Sequence, residues 1–133
     1  MIFVDSSFWI ATRLPQDAHH DTALDLLERH GDDDLLTSNH VRGETWTFLR
    51  RRAGHREAVA FLDMLERSPR TDVDRIDGVL EEEALRWLRR HDERTYSFVD
   101  ATSFALMRAQ KIRRALAFDG DFAAAGFQEL RAD

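Results

Sequence analysis

The chain opens on a three-residue apolar run, Ile2-Phe3-Val4, cut off by Asp5-Ser6-Ser7. A short run of this kind, ending in residues with side-chain oxygens, reads as a buried strand that gives way to a helix cap. Between Asp17 and His30, Ala23, Leu26 and Leu27 recur at helical spacing, and Gly31 supplies a stop. Asp32-Asp33-Asp34 reads as a solvated turn ahead of a second strand, Leu35-Leu36-Thr37. Ser38 or Asn39 then caps a helix with the stripe Val41, Thr45, Phe48 and Leu49, and Gly54 breaks it. The next helix carries Ala58, Phe61, Leu62 and Leu65 and closes at Ser68-Pro69. A weak strand is expected near Thr71 to Ile76, then a helix from Asp77 to His91 with Leu80, Ala84, Trp87 and Leu88. Ser97 opens a markedly apolar helix running to about Gln110, followed by a strand over Ala115-Leu116-Ala117-Phe118 and an edge strand from Phe127 to Leu130. Short apolar strands separated by helices predict an α/β sandwich, with a mostly parallel central sheet and helices on both faces.

Size and composition narrow the class. The 133 residues suit one compact domain, 1–133, and leave no room for two ordinary ones. The absence of cysteine excludes a disulfide scaffold, a zinc ribbon and a thiol nucleophile together. No apolar run approaches the roughly 20 residues that cross a bilayer, and Met1 to Asp5 has no basic lead-in. A soluble, cytoplasmic protein without a membrane partner is expected. The net charge of −6 would by itself repel nucleic acid. Lys111 is nevertheless the one lysine among 19 basic residues. GC-rich coding accounts for that ratio, although arginine's planar fork also suits phosphate. Acids gathered on a metal would count towards the negative total as well.

Four acidic positions do not behave as surface charges. Asp5 ends the first strand, where open parallel sheets gather ligands, although an Asp there is also a good helix cap. Glu44 lies three residues after Val41 and four before Phe48, beside the apolar stripe. A carboxylate buried there needs a partner, a proton or a metal, with Arg42 and His40 as the candidate local partners. Asp100 follows Ser97 by three residues, which fits a capping box, and shares a helical face with Phe104 and Met107. Asp119 follows the strand ending at Phe118, in Ala-Phe-Asp-Gly-Asp-Phe, where Asp-Gly is also a turn signal. Asp121 is a second ligand or a solvated turn residue. Carboxylates converging at strand ends would repel one another, and a hard divalent cation relieves that cost. Such a site supports metal-assisted phosphoryl transfer to water. The six histidines form no HExxH and are read as surface residues.

Four motifs in order, Ile-Phe-Val-Asp-Ser-Ser, Thr37-Ser38-Asn39-His40-Val41 leading to Glu44, Tyr96-Ser97-Phe98-Val99-Asp100-Ala101 and Ala117-Phe118-Asp119-Gly120-Asp121-Phe122, resemble the PIN-domain ribonucleases. Among these the chain is most similar to the VapC type, the toxin half of type II toxin–antitoxin pairs. The resemblance covers nearly the whole chain. It implies a parallel sheet of about five strands and Mg²⁺- or Mn²⁺-dependent endoribonucleolytic cleavage leaving a 5′-phosphate and a 3′-hydroxyl. It implies Asp5, Glu44, Asp100 and Asp119 as the catalytic quartet and Asp5, Asp100, Asp119 and Asp121 as metal ligands, with Asp119 and Asp121 able to share or exchange a role. Ser6 would orient a carboxylate or a water. A homodimer, a VapB-type antitoxin across the active-site groove, and a structured RNA substrate, tRNA or the sarcin–ricin loop of ribosomal RNA, are also implied. The stretch from Glu44 through Tyr96 to Phe127 looks most like the ribosomal-RNA-cutting members.

RNA needs basic contacts outside an acidic pocket. Arg50, Arg51, Arg52 and Arg56, and Arg108, Lys111, Arg113 and Arg114, form two candidate clusters, each of which also reads as a solvated helix face. Trp9 is placed as a base-stacking residue at the pocket mouth or, on the blander reading, as core or dimer interface. A haloacid-dehalogenase-type phosphatase would need an Asp where Ser7 stands. A receiver domain would need an acidic neighbour for Asp5 and a lysine after its last core strand, whereas Lys111 precedes it. The rival from another class is a catalytically silent PIN-like module that only binds RNA or protein, and an intact acidic quartet argues against it.

Overall fold

The structure is a computed structural model, and it describes residues 1–132. Five strands form one sheet: β1 (Ile2–Val4), β2 (Leu35–Ser38), β3 (Thr71–Asp74), β4 (Arg114–Leu116) and β5 (Gln128–Glu129). Their spatial order is β3-β2-β1-β4-β5, and every pairing is parallel. Phe3 is in register with Leu36 on one side and Ala115 on the other. β1 and β2 are buried at every position. Because successive residues point to opposite faces, that pattern requires cover on both faces, which explains why these strands read as continuous apolar runs.

Among the described residues, seven helices supply the cover: α1 (Ser6–Arg13), α2 (His20–Arg29), α3 (Asn39–Arg52), α4 (His55–Arg67), α5 (Gly78–Arg90), α6 (Phe98–Gln110) and α7 (Asp121–Ala124). α1 packs on α2 and α3, α3 on α4, and α5 on α6. Two aromatic groups anchor the helices that matter for the site. Phe8, Trp9 and Phe61 join α1 to α4, with ring centroids 6.0–6.2 Å apart. Phe104 of α6 meets Phe122 of α7 edge-on at 4.9 Å, and Trp87 at 5.1 Å. Phe122 also stacks on Phe3 of β1 at 6.0 Å, so α7 is held although it has a single turn.

The departures from the expected elements have local causes. α2 begins at His20 because Asp17 makes a turn instead, its side chain accepting the His19 N–H at 2.8 Å. Ser38 caps α3 by accepting the Val41 N–H at 3.1 Å, which leaves Asn39 free to accept the Ile76 N–H at 2.8 Å. β3 stops at Asp74. β4 stops at Leu116 because the Phe118 N–H turns away to the Ser7 hydroxyl. β5 is reduced to two residues. Asp-Gly at 119–120 forms no hairpin. Gly120, at φ +82°, leads into α7, which the hydrophobic pattern does not predict.

Candidate active site

The strand order reverses around β1, with β2 and β3 on one side and β4 and β5 on the other. Ligands of open parallel sheets settle beyond the strand C-termini at such a switch point, and Asp5 and Asp119 lie just beyond β1 and β4. Asp5 has two duties. Its Oδ2 caps α1, accepting the Ser7 N–H at 3.2 Å and the Ser7 hydroxyl at 2.8 Å. Its Oδ1 is buried and has no hydrogen-bond partner among the described residues. Burial and then the charge of Asp119 push the Asp5 carboxyl up to about 7 from 3.8, against the pull of the Ser7 hydroxyl.

Asp100 closes a capping box at the start of α6: its side chain accepts the Ser97 N–H at 3.0 Å and the Ser97 hydroxyl accepts its N–H at 2.9 Å. Although capped, it is buried, and that burial, followed by the charges of Asp119 and Asp121, raises it to about 6. Asp119 is exposed as a residue, yet partial burial of its carboxyl, together with Asp121, raises it as well. Gly120 turns the chain through a left-handed conformation that an L side chain rarely adopts, and so returns Asp121 to the same place. Asp100, Asp119 and Asp121 each offer an oxygen within 4.8 Å of the others. Asp5 stands beside this trio rather than inside it.

Glu44 departs from expectation. It is exposed, because the buried stripe of α3 is Val41, Thr45 and Leu49 and Glu44 sits to its flank. Its partner is neither Arg42 nor His40 but Ser6, whose hydroxyl donates to the Glu44 carboxylate. Ser6 thus bridges the N-terminus of α1 to α3 at the edge of the acidic group. Trp9 is buried and belongs to the core.

Two residues of the site escaped the sequence reading. Ser7 holds Asp5 and accepts the Phe118 N–H at 3.1 Å, tying the end of β1 to the segment after β4. The Asp-Ser-Ser turn is the signal that points to it. Arg94 donates to Asp121 at 2.8 Å and to the Asp119 carbonyl at 3.2 Å. No local pattern marks it, since its partners lie more than twenty residues away.

The basic candidates separate. Arg51 and Arg52 line a cavity of about 1000 Å³ whose wall includes Ser6 and Glu44. Arg50 and Arg56 are exposed on α3 and α4. Lys111 and Arg113 precede β4, and so lie at the opposite end of the strand from Asp119. Arg108 pairs with Glu83 at 3.7 Å and lies over the Trp87 ring, a packing role.

The buried, partnerless Asp5 Oδ1 tests whether a cation fits. A buried carboxylate oxygen without a partner is costly, and with like charges alongside only a proton or a cation relieves it. All the donors are hard carboxylate oxygens, which match a hard divalent cation. The histidines contribute no ligand to this cluster among the described residues.

Sheet, switch point and acidic trio define a class, and the chain belongs to the PIN-domain family, whose pattern matches residues 2–128. Its relatives within that family are of the VapC type. Two curated proteins named 23S rRNA-specific endonuclease VapC20, from Mycobacterium tuberculosis strains CDC 1551 / Oshkosh and ATCC 25618 / H37Rv, are each 56% identical over 131 residues, covering 98% of this chain and 98% of theirs. A crystal structure of Mycobacterium tuberculosis VapC20, described as a sarcin–ricin loop cleaving toxin, superposes with a TM-score of 0.92 at 54% identity over 98% of this chain and 99% of that one. Among the described residues no helix is long and apolar enough to cross a membrane.

Proposed function

We propose that this chain, acting as one unit over 1–133, is a cytoplasmic, metal-dependent endoribonuclease toxin that hydrolyses a phosphodiester bond in structured RNA. The sarcin–ricin loop is its target, and a VapB-type antitoxin neutralises it. One observation carries the chemistry: Asp100, Asp119 and Asp121 converge within 4.8 Å beside Asp5, whose Oδ1 is buried and partnerless. The relatives' names supply the RNA.

Asp5, Asp100, Asp119 and Asp121 are assigned to hold Mg²⁺ or Mn²⁺. Bound there, the cation supplies charge neutralisation at the phosphodiester and acidifies water. Ser7 keeps Asp5 in place through its hydroxyl, which engages Oδ2 and leaves Oδ1 for the cation. Glu44, exposed and accepting from the Ser6 hydroxyl, is assigned to take the proton of the attacking water. Water adds to phosphorus, the bond to the 3′-oxygen breaks, that oxygen takes a proton from a second water to leave as the 3′-hydroxyl, and Glu44 returns its proton to solvent, leaving a 5′-phosphate. Arg94 keeps Asp121 in the cluster while partly offsetting its charge. The protein acts as a homodimer.

The test is cleavage of total RNA and intact ribosomes by antitoxin-free protein in Mg²⁺, Mn²⁺ or EDTA, with Asp5→Ala as control and cut ends mapped by sequencing. Discrete metal-dependent cuts, absent in the variant, are expected. No cutting of any RNA by a folded protein that also binds no metal would replace this reading with a silent binding module.

A further inference from the structure

Next to the acidic cluster, the cavity lined by Ser6 and Glu44 continues along α3 to Arg51 and Arg52. Its volume, about 1000 Å³, lies in the range of sites that hold a small-molecule-sized group. Three features of its wall bear on what it could hold. Phe98, the first residue of α6, is 39% exposed, and its ring meets His40 at 5.9 Å. Asn39 accepts the Ile76 N–H through Oδ1 at 2.8 Å. A backbone N–H can only donate, so this contact fixes the orientation of the amide and leaves Nδ2 with donors that no protein group uses among the described residues. Arg51 and Arg52 make no ion pair among the described residues, whereas Arg13, Arg94 and Arg108 all do. Arg52 instead sits over the Phe48 ring, its Cζ 5.1 Å from the centroid.

We infer that this cavity is a subsite for one unpaired nucleobase of the RNA, stacked on Phe98 and His40, with the neighbouring backbone phosphates on Arg51 and Arg52. The inference rests on the endoribonuclease reading and deepens it. Sequence-specific contacts to RNA are made to splayed bases that stack on aromatic rings, and a π-face pairs with any base. Phe98 is two residues from Asp100, so a base held there brings its own backbone to the acids. The unused Asn39 amide donors favour a base edge that offers acceptors. Two unpaired guanidinium groups in a chain of net charge −6 match a phosphate chain that must approach an acidic site.

The experiment titrates short RNAs carrying one 2-aminopurine, walked across the cut site, with the full-length protein in EDTA, where stacking quenches fluorescence and no strand is cut. Quenching at one position is expected. Phe98→Ala removes it and weakens binding roughly 10- to 100-fold, the range set by one aromatic–base stack. Phe98→Tyr restores both, which a merely structural role would not produce. Arg51→Ala and Arg52→Ala each lower the salt slope of binding by about one, alike for all sequences. Thermal melts establish that each variant is folded. Equal quenching at every position, no quenching by wild type, or quenching insensitive to Phe98 overturns the subsite. So does a Phe98→Ala protein that loses antitoxin affinity while its RNA titration is unchanged, since the cavity would then belong to the protein partner. Metal-dependent cleavage by wild type is scored separately, so a failed subsite and a failed nuclease are told apart.

Discussion

Two buried carboxylates on this sheet have opposite fates. Glu129 of β5, with a side chain only 1% exposed, is satisfied on both oxygens: Oε2 accepts the Ala123 N–H at 3.0 Å and Oε1 faces Arg131 at 3.4 Å. Asp5, 2% exposed, has one oxygen satisfied by Ser7 and the other by nothing, with Asp119 and Asp100 raising it further. The difference lies in the surroundings, because the two side chains share one functional group and nearly equal burial. A buried acid with complete partners holds structure together, here tying α7 to β5. One left incomplete among like charges costs stability, and that cost is retained where a ligand repays it.

The largest effect that would break this contrast is on cleavage. Asp5→Asn keeps an acceptor for the Ser7 N–H but cannot ionise. It should lower the RNA cleavage rate by at least about 10²–10³-fold, the scale on which single charge-stabilising groups act. The same change should raise the urea midpoint of the metal-free protein. A variant that cuts at wild-type rate would remove Asp5 from the metal site.

Next is the pH dependence of metal-free stability. The native state holds the Asp5 proton more tightly than the unfolded chain does, so stability is greatest below the unfolded value of 3.8 and declines as pH rises to about 7. At about 1.4 kcal/mol per unit, Asp5 alone sets a decline of roughly 4 kcal/mol. Urea melts across that window, with and without Mg²⁺, should show the decline in EDTA and its suppression by the cation. A flat profile in EDTA would mean that Asp5 is already satisfied.

Glu129→Ala tests the other half. It removes the acceptor of the Ala123 N–H and should cost about 1.5–3 kcal/mol in a denaturant melt, the scale of a hydrogen bond to a charged group. Glu129→Gln retains an acceptor and should cost less. Were the stability unchanged, the satisfied acid would not be structural. The smallest effect belongs to Arg94→Ala, because its guanidinium is solvent-exposed: the denaturant midpoint should barely move. Metal affinity, read by calorimetry, should also change, since Asp121 loses its competitor for the cation.

Most of the fold was legible because its signals are local. The runs Ile2–Val4 and Leu35–Thr37 announce strands covered on both faces, the Ser97–Asp100 spacing announces its capping box, and Gly54 marks the break before α4. α7 was not legible, because a single turn has too little periodicity to register and is held by Phe122 against Phe3 and Phe104. Phe118 read as strand because it is apolar, while its N–H is spent on Ser7, 111 residues away.

The sequence by itself determined which acids stand at strand ends and helix starts, the order of motifs that carries the family, and the arginine-rich character of the basic residues. The tertiary structure alone decided how those acids relate. It set Asp5 beside the trio and Asp121 on Arg94, placed Glu44 at the exposed flank of α3 on Ser6, and put Lys111 and Arg113 at the opposite end of β4 from Asp119. Burial and charge coupling depend on what lies within a few ångströms in space. In a parallel sheet those neighbours come from strands and loops that the chain visits tens of residues apart.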